Sequence, residues 1–453
     1  MRDSEKRRSR ARERQPVAPV ISEVVAAPGV AAPAAATPGR AEHALYVGVF
    51  LVIAFLKCPV LLYDPRFWAE EGSAFFATFR SLSLAGALQN TYLGSYLGLT
   101  NVVVYLSTLV PVAYAPFVTT YLALAFHAAV AFQIASLAAC YSLSRTAGLL
   151  LIAAWALVPQ SYEVWLSATN LQWVAGVSML LVFAMPEQFL SKRPALVTAW
   201  AVVCGIAGIP GVLPTPFFFL RAVEEKSSTL FALGAAGAVC ALVHLASLYL
   251  HASTGRQYPS DLSVLVLPTV LQSVIAPMFT AEFANGLAQA IRQHLPAIDG
   301  SLVGTLVLAA TIAGTAVAAS SRSAAGGLTA YVAGLWVLVS LIQTFGSLGN
   351  PRDMISGLGG ARYFLFGSMS LCLLLAWGTT SSDAWLRRCT LAMLVVVGLT
   401  GVVQRYTSPS IDFTMSGPSF RDQVRACEAE AKPVCRVALW PRSAAWHVDL
   451  KMN

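Results

Sequence analysis

Apolar runs long enough to cross a membrane recur along nearly the whole chain. Of its 453 residues, 57% are hydrophobic and only 11% are charged. A spanning helix needs about 20 mostly apolar residues, so the runs leave no room between them for a soluble domain of ordinary size. The sequence therefore predicts an all-α, polytopic bundle of transmembrane helices in a lipid bilayer. The long runs are Ala44–Leu62, Phe117–Tyr141, Thr229–Leu250, Leu302–Ala319, Gly327–Phe345, Tyr363–Thr380 and Cys389–Val403, and shorter ones are Ala147–Pro159, Leu171–Pro186, Ala195–Ile209 and Val212–Leu220.

The positive charge of the chain is concentrated at its amino terminus. The net charge is +8, and seven of the first fourteen residues are Lys or Arg. The Ala- and Pro-rich stretch that follows is typical of disorder, and such a basic arm is a cytoplasmic orientation signal that also contacts anionic lipid. We predict a disordered basic cytoplasmic arm over residues 1–42, a transmembrane bundle over 43–404 and a small external tail over 405–453, with no nucleic-acid partner.

The Lys and Arg residues of the short loops determine the predicted orientation. Basic loops lie on the cytoplasmic side. All of them fall there only if Tyr96–Val110 does not cross alone and if Leu262–Phe279, which Pro268 and Pro277 interrupt, is a non-crossing or hairpin element. The prediction is then roughly eleven to thirteen spans, with the amino terminus inside and the carboxyl terminus outside.

The densest cluster of charge follows the first long apolar run, at the start of a predicted external loop over residues 63–95. Asp64, Arg66, Glu70 and Glu71 place four charges within eight residues. In a structural interpretation, Asp64 is the N-cap of a helix that begins at Pro65. Arg66 then pairs with Glu70 one turn later, and the charges only solvate an interfacial helix.

A functional interpretation of this cluster stays open beside the structural one. Residues 70 and 71 cannot point the same way on a helix. If Arg66 holds Glu70, then Glu71 can turn toward the bundle, with Asp64 below it. A carboxylate pair at a membrane surface can accept a proton from a hydroxyl nucleophile or hold a divalent cation, here Mg²⁺ or Mn²⁺.

Three short motifs on the predicted external side carry a family resemblance. They read Trp68-Ala69-Glu70-Glu71-Gly72, Thr169-Asn170-Leu171-Gln172-Trp173 and Arg362-Tyr363. An acidic motif directly after the first of many transmembrane helices resembles the type C (GT-C) glycosyltransferases. The three motifs together are similar to those of uncharacterised bacterial members of that superfamily, whose first motif ends in Glu-Asp-Gly. This chain has Glu71 where that pattern has Asp.

The resemblance implies an inverting enzyme in a bacterial inner (cytoplasmic) membrane, which transfers a sugar from a polyprenyl-phosphate donor to a glycan or lipid acceptor of the cell envelope. It implies that Asp64 or Glu71, with Glu70 beside them, is the base. Arginine would hold the leaving phosphate, because a guanidinium is a planar fork suited to two phosphate oxygens. Arg352 and Arg362 are preferred for this role, with Arg256 behind them. The other implied substrate contacts are Arg66, Trp68, Tyr92, Tyr96, Glu163, Asn170, Gln172, Trp173 and Tyr363.

Three other functions stay open. A transporter or flippase of lipid-linked glycans would place ionisable residues near the bilayer midplane, where this sequence has few. A polymerase or ligase of surface glycans uses similar substrates and is separated from a glycosyltransferase only by the early acidic motif. A scaffold without enzymatic activity would tolerate neutral residues in place of Asp64 and Glu71. The sequence has no Walker A motif, and its six histidines show no metal-ligand spacing.

The eight cysteines divide into two groups. Six lie in or at the ends of apolar runs and are predicted to be small core residues. Cys427 and Cys435 lie in the polar tail after the last run. An oxidising compartment would allow them to form a disulfide.

Overall fold

Helices make up most of the computed structural model, which describes residues 39–251, 263–294, 328–345, 360–407, 417–441 and 446–451. The predicted helical class is confirmed for these residues. Among the described residues, four helical segments are long and apolar enough to cross a membrane, namely Val112–Cys140, Ser228–Leu250, Ala361–Gly378 and Ala384–Thr407. The run Leu302–Ala319 lies outside the described residues, as do Arg256 and Arg352. The total number of spans stays a prediction.

In the part of the chain that the structure describes, the helices follow the predicted apolar runs, with short helices and one small hairpin between them and a second hairpin in the carboxyl-terminal tail. The α-helices are α1 (Arg40–Lys57), α2 (Pro59–Tyr63), α3 (Ala77–Phe79), α4 (Leu84–Gln89), α5 (Gly98–Ser107), α6 (Ala115–Cys140), α7 (Arg145–Leu157), α8 (Ser161–Val164), α9 (Leu171–Ala184), α10 (Glu187–Leu190), α11 (Pro194–Ala207), α12 (Ile209–Val212), α13 (Thr215–Glu224), α14 (Ser228–Leu250), α15 (Ser263–Val270), α16 (Ala276–Phe279), α17 (Ala281–His294), α18 (Leu328–Phe345), α19 (Leu365–Gly378), α20 (Ala384–Thr407) and α21 (Phe420–Ala429). Within the described ranges, two π-helical turns span Glu71–Phe76 and Leu271–Ile275, two 3₁₀ turns span Val112–Tyr114 and Ala361–Phe364, and the strands are β1 (Thr91–Tyr92), β2 (Ser95–Tyr96), β3 (Val434–Ala438) and β4 (His447–Lys451).

The helix α9 lies in the core of the bundle because its sequence is apolar on every side. All of its residues except Gln172 are buried, and it packs against α6, α11, α12 and α19. A helix of this composition is stable where other helices surround it. By contrast, α14 and α20 expose large apolar side chains, among them Leu242, Leu245 and Leu399. Such a surface fits contact with lipid chains.

Close backbone approaches place the start of α9 against the corner between α11 and α12. A Cβ atom at Gly208 would lie 2.6 Å from the Cβ atom of Gln172, and one at Gly176 would lie 2.8 Å from the Cβ atom of Pro210. Only glycine permits contacts this short. The end of α11 therefore lies beside the first turn of α9, where the second sequence motif is located.

The segment Leu262–Phe279 is not a hairpin, contrary to one of the predicted alternatives. From Ser263 to Phe279 the backbone is helical through α15, a π-helical turn and α16. Pro268 lies inside α15, and the π-helical turn that follows is one of the adjustments by which a helix accommodates an interruption. The helix ends only at Thr280, whose φ of 111° is incompatible with a right-handed helix.

The carboxyl-terminal tail folds into a small unit that packs on the predicted external loop. It consists of α21 and the antiparallel hairpin of β3 and β4. A disulfide joins Cys427 to Cys435, whose Cα atoms are 5.7 Å apart, a usual distance for this bond. After β3 the chain continues into Leu439 and Trp440, which contact the acidic segment that follows α2.

Candidate functional site

Asp64 faces the carboxyl-terminal unit, and Arg66 pairs with Asp64. Asp64 Oδ1 accepts a 2.7 Å hydrogen bond from Ser419 Oγ, and Arg66 Nη2 lies 3.9 Å from Asp64 Oδ2. Asp64 follows the last residue of α2 instead of starting a helix, so the predicted N-cap is wrong. The predicted pairing of Arg66 with Glu70 is also wrong, because Arg66 pairs with Asp64.

Trp68 is held by the same unit. Ala69 N donates to Trp440 O at 2.5 Å, and Trp440 N donates to Phe67 O at 3.0 Å. The rings of Trp68 and Trp440 meet edge to face with 4.7 Å between their centroids. These strand-like bonds keep the chain extended before Ala69, which explains why no helix begins at Pro65. Trp68 is buried in this contact and does not line the cavity of Glu70 described below.

Glu71 turns into the bundle and is fully buried. Its Oε2 accepts hydrogen bonds from Ala168 N at 2.9 Å and from Ser167 Oγ at 3.2 Å. Burial raises the pKa of Glu71 to about 7, although hydrogen bonds to the carboxylate oppose the rise. Glu71 therefore links the first sequence motif to the loop before the second, and its carboxylate is hydrogen-bonded to groups of the protein.

Glu70 lines a cavity of about 140 Å³ at the ends of several helices. A water molecule needs roughly 10–15 Å³ of such space, so the cavity can hold several waters or a small polar group. All three sequence motifs contribute to its lining. The lining residues are Glu70, Phe75, Tyr92, Ser95, Leu97, Thr169, Asn170, Gln172, Trp173, Ile209, Pro210, Ile342, Arg362 and Tyr363. We call this the Glu70 cavity.

Arg362 supplies the positive charge of the Glu70 cavity and is oriented by Glu163. Its Nη1 lies 2.5 Å from Glu163 Oε1, and its backbone N donates a 3.1 Å hydrogen bond to Glu163 Oε2. One carboxylate thus holds both the guanidinium and the backbone of Arg362. Glu163, predicted to contact substrate, instead orients Arg362 from outside the cavity lining.

Aromatic rings form one wall of the Glu70 cavity. The rings of Trp173 and Tyr363 meet edge to face at 4.9 Å, and those of Phe75 and Tyr92 lie 5.3 Å apart. Burial raises the pKa of Tyr92, and the charge of Glu70 adds to this rise while that of Arg362 opposes it. Glu70 and Arg362 are therefore both close enough to the Tyr92 phenol to shift its pKa.

Tyr96 lies outside the cavity lining, and Asn170 has a hydrogen-bond partner that the sequence did not predict. The Tyr96 ring packs 6.1 Å from the ring of His244 and contacts Gly98, and Tyr96 does not belong to the cavity lining. Asn170 does line the cavity, but its Nδ2 donates a 2.9 Å hydrogen bond to Glu163 O. The amide of Asn170 therefore also stabilises the loop that carries Glu163.

Lys57 is a buried cation that is absent from the predicted site. Its Nζ donates 2.7 Å hydrogen bonds to Ala156 O and Ser161 Oγ, and lies 3.8 Å from the centroid of the Trp165 ring. Lys57 thus anchors α8, the short helix that carries Glu163. One signal in the sequence pointed to it: Lys57 is the only Lys, Arg, Asp or Glu residue between Glu42 and Asp64, and a lone charge in an apolar run is costly unless it has partners.

The described residues do not fit the predicted divalent cation. Over the described ranges, no three His, Cys, Asp or Glu side chains are placed to hold a metal ion together. Glu70 is the only acid among the described residues that line the cavity. Mg²⁺ and Mn²⁺ prefer several oxygen ligands, so a single carboxylate does not make a site for either ion.

Comparison with known proteins found no match: no family model, no curated protein and no solved structure matches this chain. The glycosyltransferase resemblance rests on the predicted topology and on the three short motifs.

Proposed function

We propose that this chain is a multi-pass membrane glycosyltransferase that uses a polyprenyl-phosphate-linked sugar donor at the Glu70 cavity. The observation that carries the proposal is the meeting of three distant sequence motifs in one cavity, with a carboxylate and a guanidinium in its lining. The predicted external face, the GT-C-like topology and the bacterial inner membrane are parts of this proposal. The acceptor is a glycan or a lipid of the cell envelope.

The proposed base is Glu70, which replaces Asp64 and Glu71 in this role. Asp64 is bound to Ser419 and Arg66, and the Glu71 carboxylate accepts hydrogen bonds from Ser167 and Ala168. Glu70 is the acid that lines the cavity. It takes the proton of an acceptor hydroxyl as the oxygen attacks the anomeric carbon of the donor sugar.

Arg362 is proposed to stabilise the leaving phosphate. As the new glycosidic bond forms on one face of the sugar, the bond from the anomeric carbon to the phosphate oxygen breaks on the other, which inverts the configuration. The electron pair of that bond stays on the phosphate, next to the guanidinium. The ion pair with Glu163 occupies only part of the five N–H donors of Arg362.

The remaining lining residues suit a sugar attached to an apolar carrier. Gln172 and Asn170 carry amides that can bond to sugar hydroxyls, and the ring of Trp173 can cover an apolar sugar face. Ile342 and Ile209 give the cavity an apolar side. A polyprenyl chain in the surrounding bilayer can lie against such a side while its phosphate reaches Arg362.

The test is mass spectrometry of envelope glycans and lipid-linked sugars from a strain that lacks the chain. The strain is complemented with wild type, Glu70→Gln or Glu428→Gln, at equal membrane expression. Glu428 is an exposed acid on α21 and is the matched control. We expect a missing sugar and accumulated lipid-linked donor, both corrected by wild type and Glu428→Gln but not by Glu70→Gln.

Two results would contradict the proposal. If Glu70→Gln fully restored the missing sugar, Glu70 would not be the base. Lipid-linked sugar trapped on the cytoplasmic side of the membrane in the deletion strain would instead support a transporter or flippase.

A further inference from the structure

A second cavity lies at the other end of α9. Gln172, in the first turn of α9, lines the Glu70 cavity, whereas Val182 near its end and Met185 just beyond it line the second cavity. At 1.5 Å per residue, the helix rises about 20 Å from Gln172 to Met185. The neighbouring helix α11 runs the opposite way: Val197 near its start lines the second cavity, and Ile209 beyond its end lines the first. The two cavities therefore lie toward opposite faces of the bundle.

The second cavity is larger and more apolar than the first. Its volume is about 770 Å³, against about 140 Å³ for the Glu70 cavity. Phe132 and Leu196 belong to its lining, although 48% and 61% of their surfaces are exposed. Exposed apolar side chains of helices in a membrane protein meet lipid chains. The cavity therefore opens sideways toward the bilayer.

Three cations are among the described residues that line this cavity. Arg40 lies at the start of α1, and Lys192 and Arg193 lie directly before α11; all three are exposed. The ring of His43 stacks at 4.0 Å on Phe132, and its Nε2 lies 3.0 Å from Ser136 Oγ. No Asp or Glu is among the described residues that line the cavity. We call it the basic cavity.

We propose that the basic cavity binds one anionic phospholipid of the surrounding bilayer, with its phosphate against Arg40, Lys192 and Arg193 and an acyl chain along Phe132 and Leu196. A lipid is the occupant that combines both properties of the lining, because it joins a long apolar chain to a charged phosphate. Basic pockets between transmembrane helices on the cytoplasmic side are suited to anionic headgroups. The orientation predicted from the basic loops places this cavity on that side.

The charges argue against the other occupants of such a cavity. The basic arm of this chain carries seven Lys and Arg residues in its first fourteen positions, so the three cations would repel it. A zwitterionic lipid has the same chains but no net charge to match the three cations. The proposal does not depend on the function of the Glu70 cavity.

The test is native mass spectrometry of the full chain in detergent, titrated with phosphatidylglycerol or with phosphatidylcholine of the same acyl chains. We expect wild type to retain one phosphatidylglycerol in preference to phosphatidylcholine. The double variant Lys192→Gln/Arg193→Gln should weaken this binding about tenfold or more, because each Lys or Arg near an anionic headgroup adds to the free energy of binding. Arg387→Gln/Arg388→Gln is the matched control, since these exposed residues form a basic pair outside the cavity lining.

A second variant tests the apolar part of the site without changing charge. Ala129→Phe places a ring in the cavity lining and should lower retention of phosphatidylglycerol while the protein keeps its melting temperature. Equal losses in the two double variants would show that any basic surface attracts the lipid and would overturn the proposal. So would equal binding of the two lipids, or binding of glycerol 3-phosphate as tight as that of phosphatidylglycerol, which would show a plain anion site.

Discussion

Asp64–Trp68 and Glu70–Gly72 are adjacent stretches of one acidic segment, yet they have different partners. The first stretch is extended and bonded to the carboxyl-terminal unit, through Ser419 and Trp440. The second is helical and faces the bundle, where Glu71 is buried and Glu70 lines a cavity. The acid of the first stretch therefore binds the carboxyl-terminal unit, whereas the acids of the second lie at or beside the candidate site.

The difference shows that the role of each acid depends on which part of the chain reaches it. Asp64 and Glu70 are both partly exposed and carry the same charge. Ser419 donates to the first, whereas the second shares a cavity with Arg362. Neither Ser419 nor Arg362 is near these acids in the sequence.

The rates of sugar transfer of Glu70→Gln and Asp64→Asn should show the largest difference between the two stretches. If Glu70 is the base, Glu70→Gln lowers the rate of sugar transfer by roughly 10²- to 10⁴-fold, the usual contribution of a general base. Asp64→Asn should keep the rate within a few-fold of wild type. The measurement is transfer from endogenous lipid-linked donors in isolated membranes, with the melting temperature of each variant as the control. A larger rate loss for Asp64→Asn than for Glu70→Gln, at unchanged stability, would assign the catalytic role to Asp64 instead of Glu70.

Glu71 should make the free energy of unfolding depend on pH. Its pKa is about 7 in the folded protein, because of burial, against an ordinary value of 4.5. Between these values the folded state binds more protons than the unfolded state, so this group lowers stability as pH rises from 4.5 to 7, by at most about 3 kcal/mol. Glu71→Gln should remove this part of the pH dependence.

Melting curves of the purified chain between pH 4.5 and pH 8 test this expectation. Glu428→Gln serves as the control, because Glu428 is exposed. An unchanged slope in Glu71→Gln would mean that Glu71 does not titrate in this range.

Gly72→Ala should weaken the contact between the acidic segment and the carboxyl-terminal unit. A Cβ atom at this position would lie 2.6 Å from Leu439 Cδ2 and 3.0 Å from Phe67 Cβ. Overpacking of this kind costs about 1–3 kcal/mol. Leu439→Ala should relieve much of the clash in the double variant. Gly86→Ala is the control, since the nearest atom there is 3.6 Å away, and melting curves with limited proteolysis of the tail give the comparison.

The hydrogen bond between Ser419 and Asp64 should have the smallest effect. Ser419 Oγ donates to Asp64 and also accepts from Asp422 N at the start of α21. Ser419→Ala should cost about 0.5–2 kcal/mol, because it removes a helix cap. A double-mutant cycle with Asp64→Asn isolates the pair, whose coupling we expect near 1 kcal/mol. A coupling close to zero would mean that solvent replaces the bond.

The helices were predictable because their signal is local. The runs Phe117–Tyr141 and Thr229–Leu250 differ from α6 and α14 by at most two residues at either end. Prediction failed where distant parts of the chain compete with local preference. Asp64-Pro65 has the sequence of a helix start, but bonds from Trp440 keep the next residues extended. The distribution of the basic loops favoured a non-crossing or hairpin element at Leu262–Phe279, but from Ser263 to Phe279 the backbone stays helical through both prolines.

The sequence by itself determined the helical class and the three motifs, because hydrophobic periodicity and helical spacing act within a few residues. Only the tertiary structure decided what each acid contacts. It brought Glu70 and Arg362 to one cavity, gave Asp64 to Ser419 and placed Lys57 beneath the helix of Glu163. Such pairings join residues up to several hundred positions apart, and the packing of the whole bundle determines them.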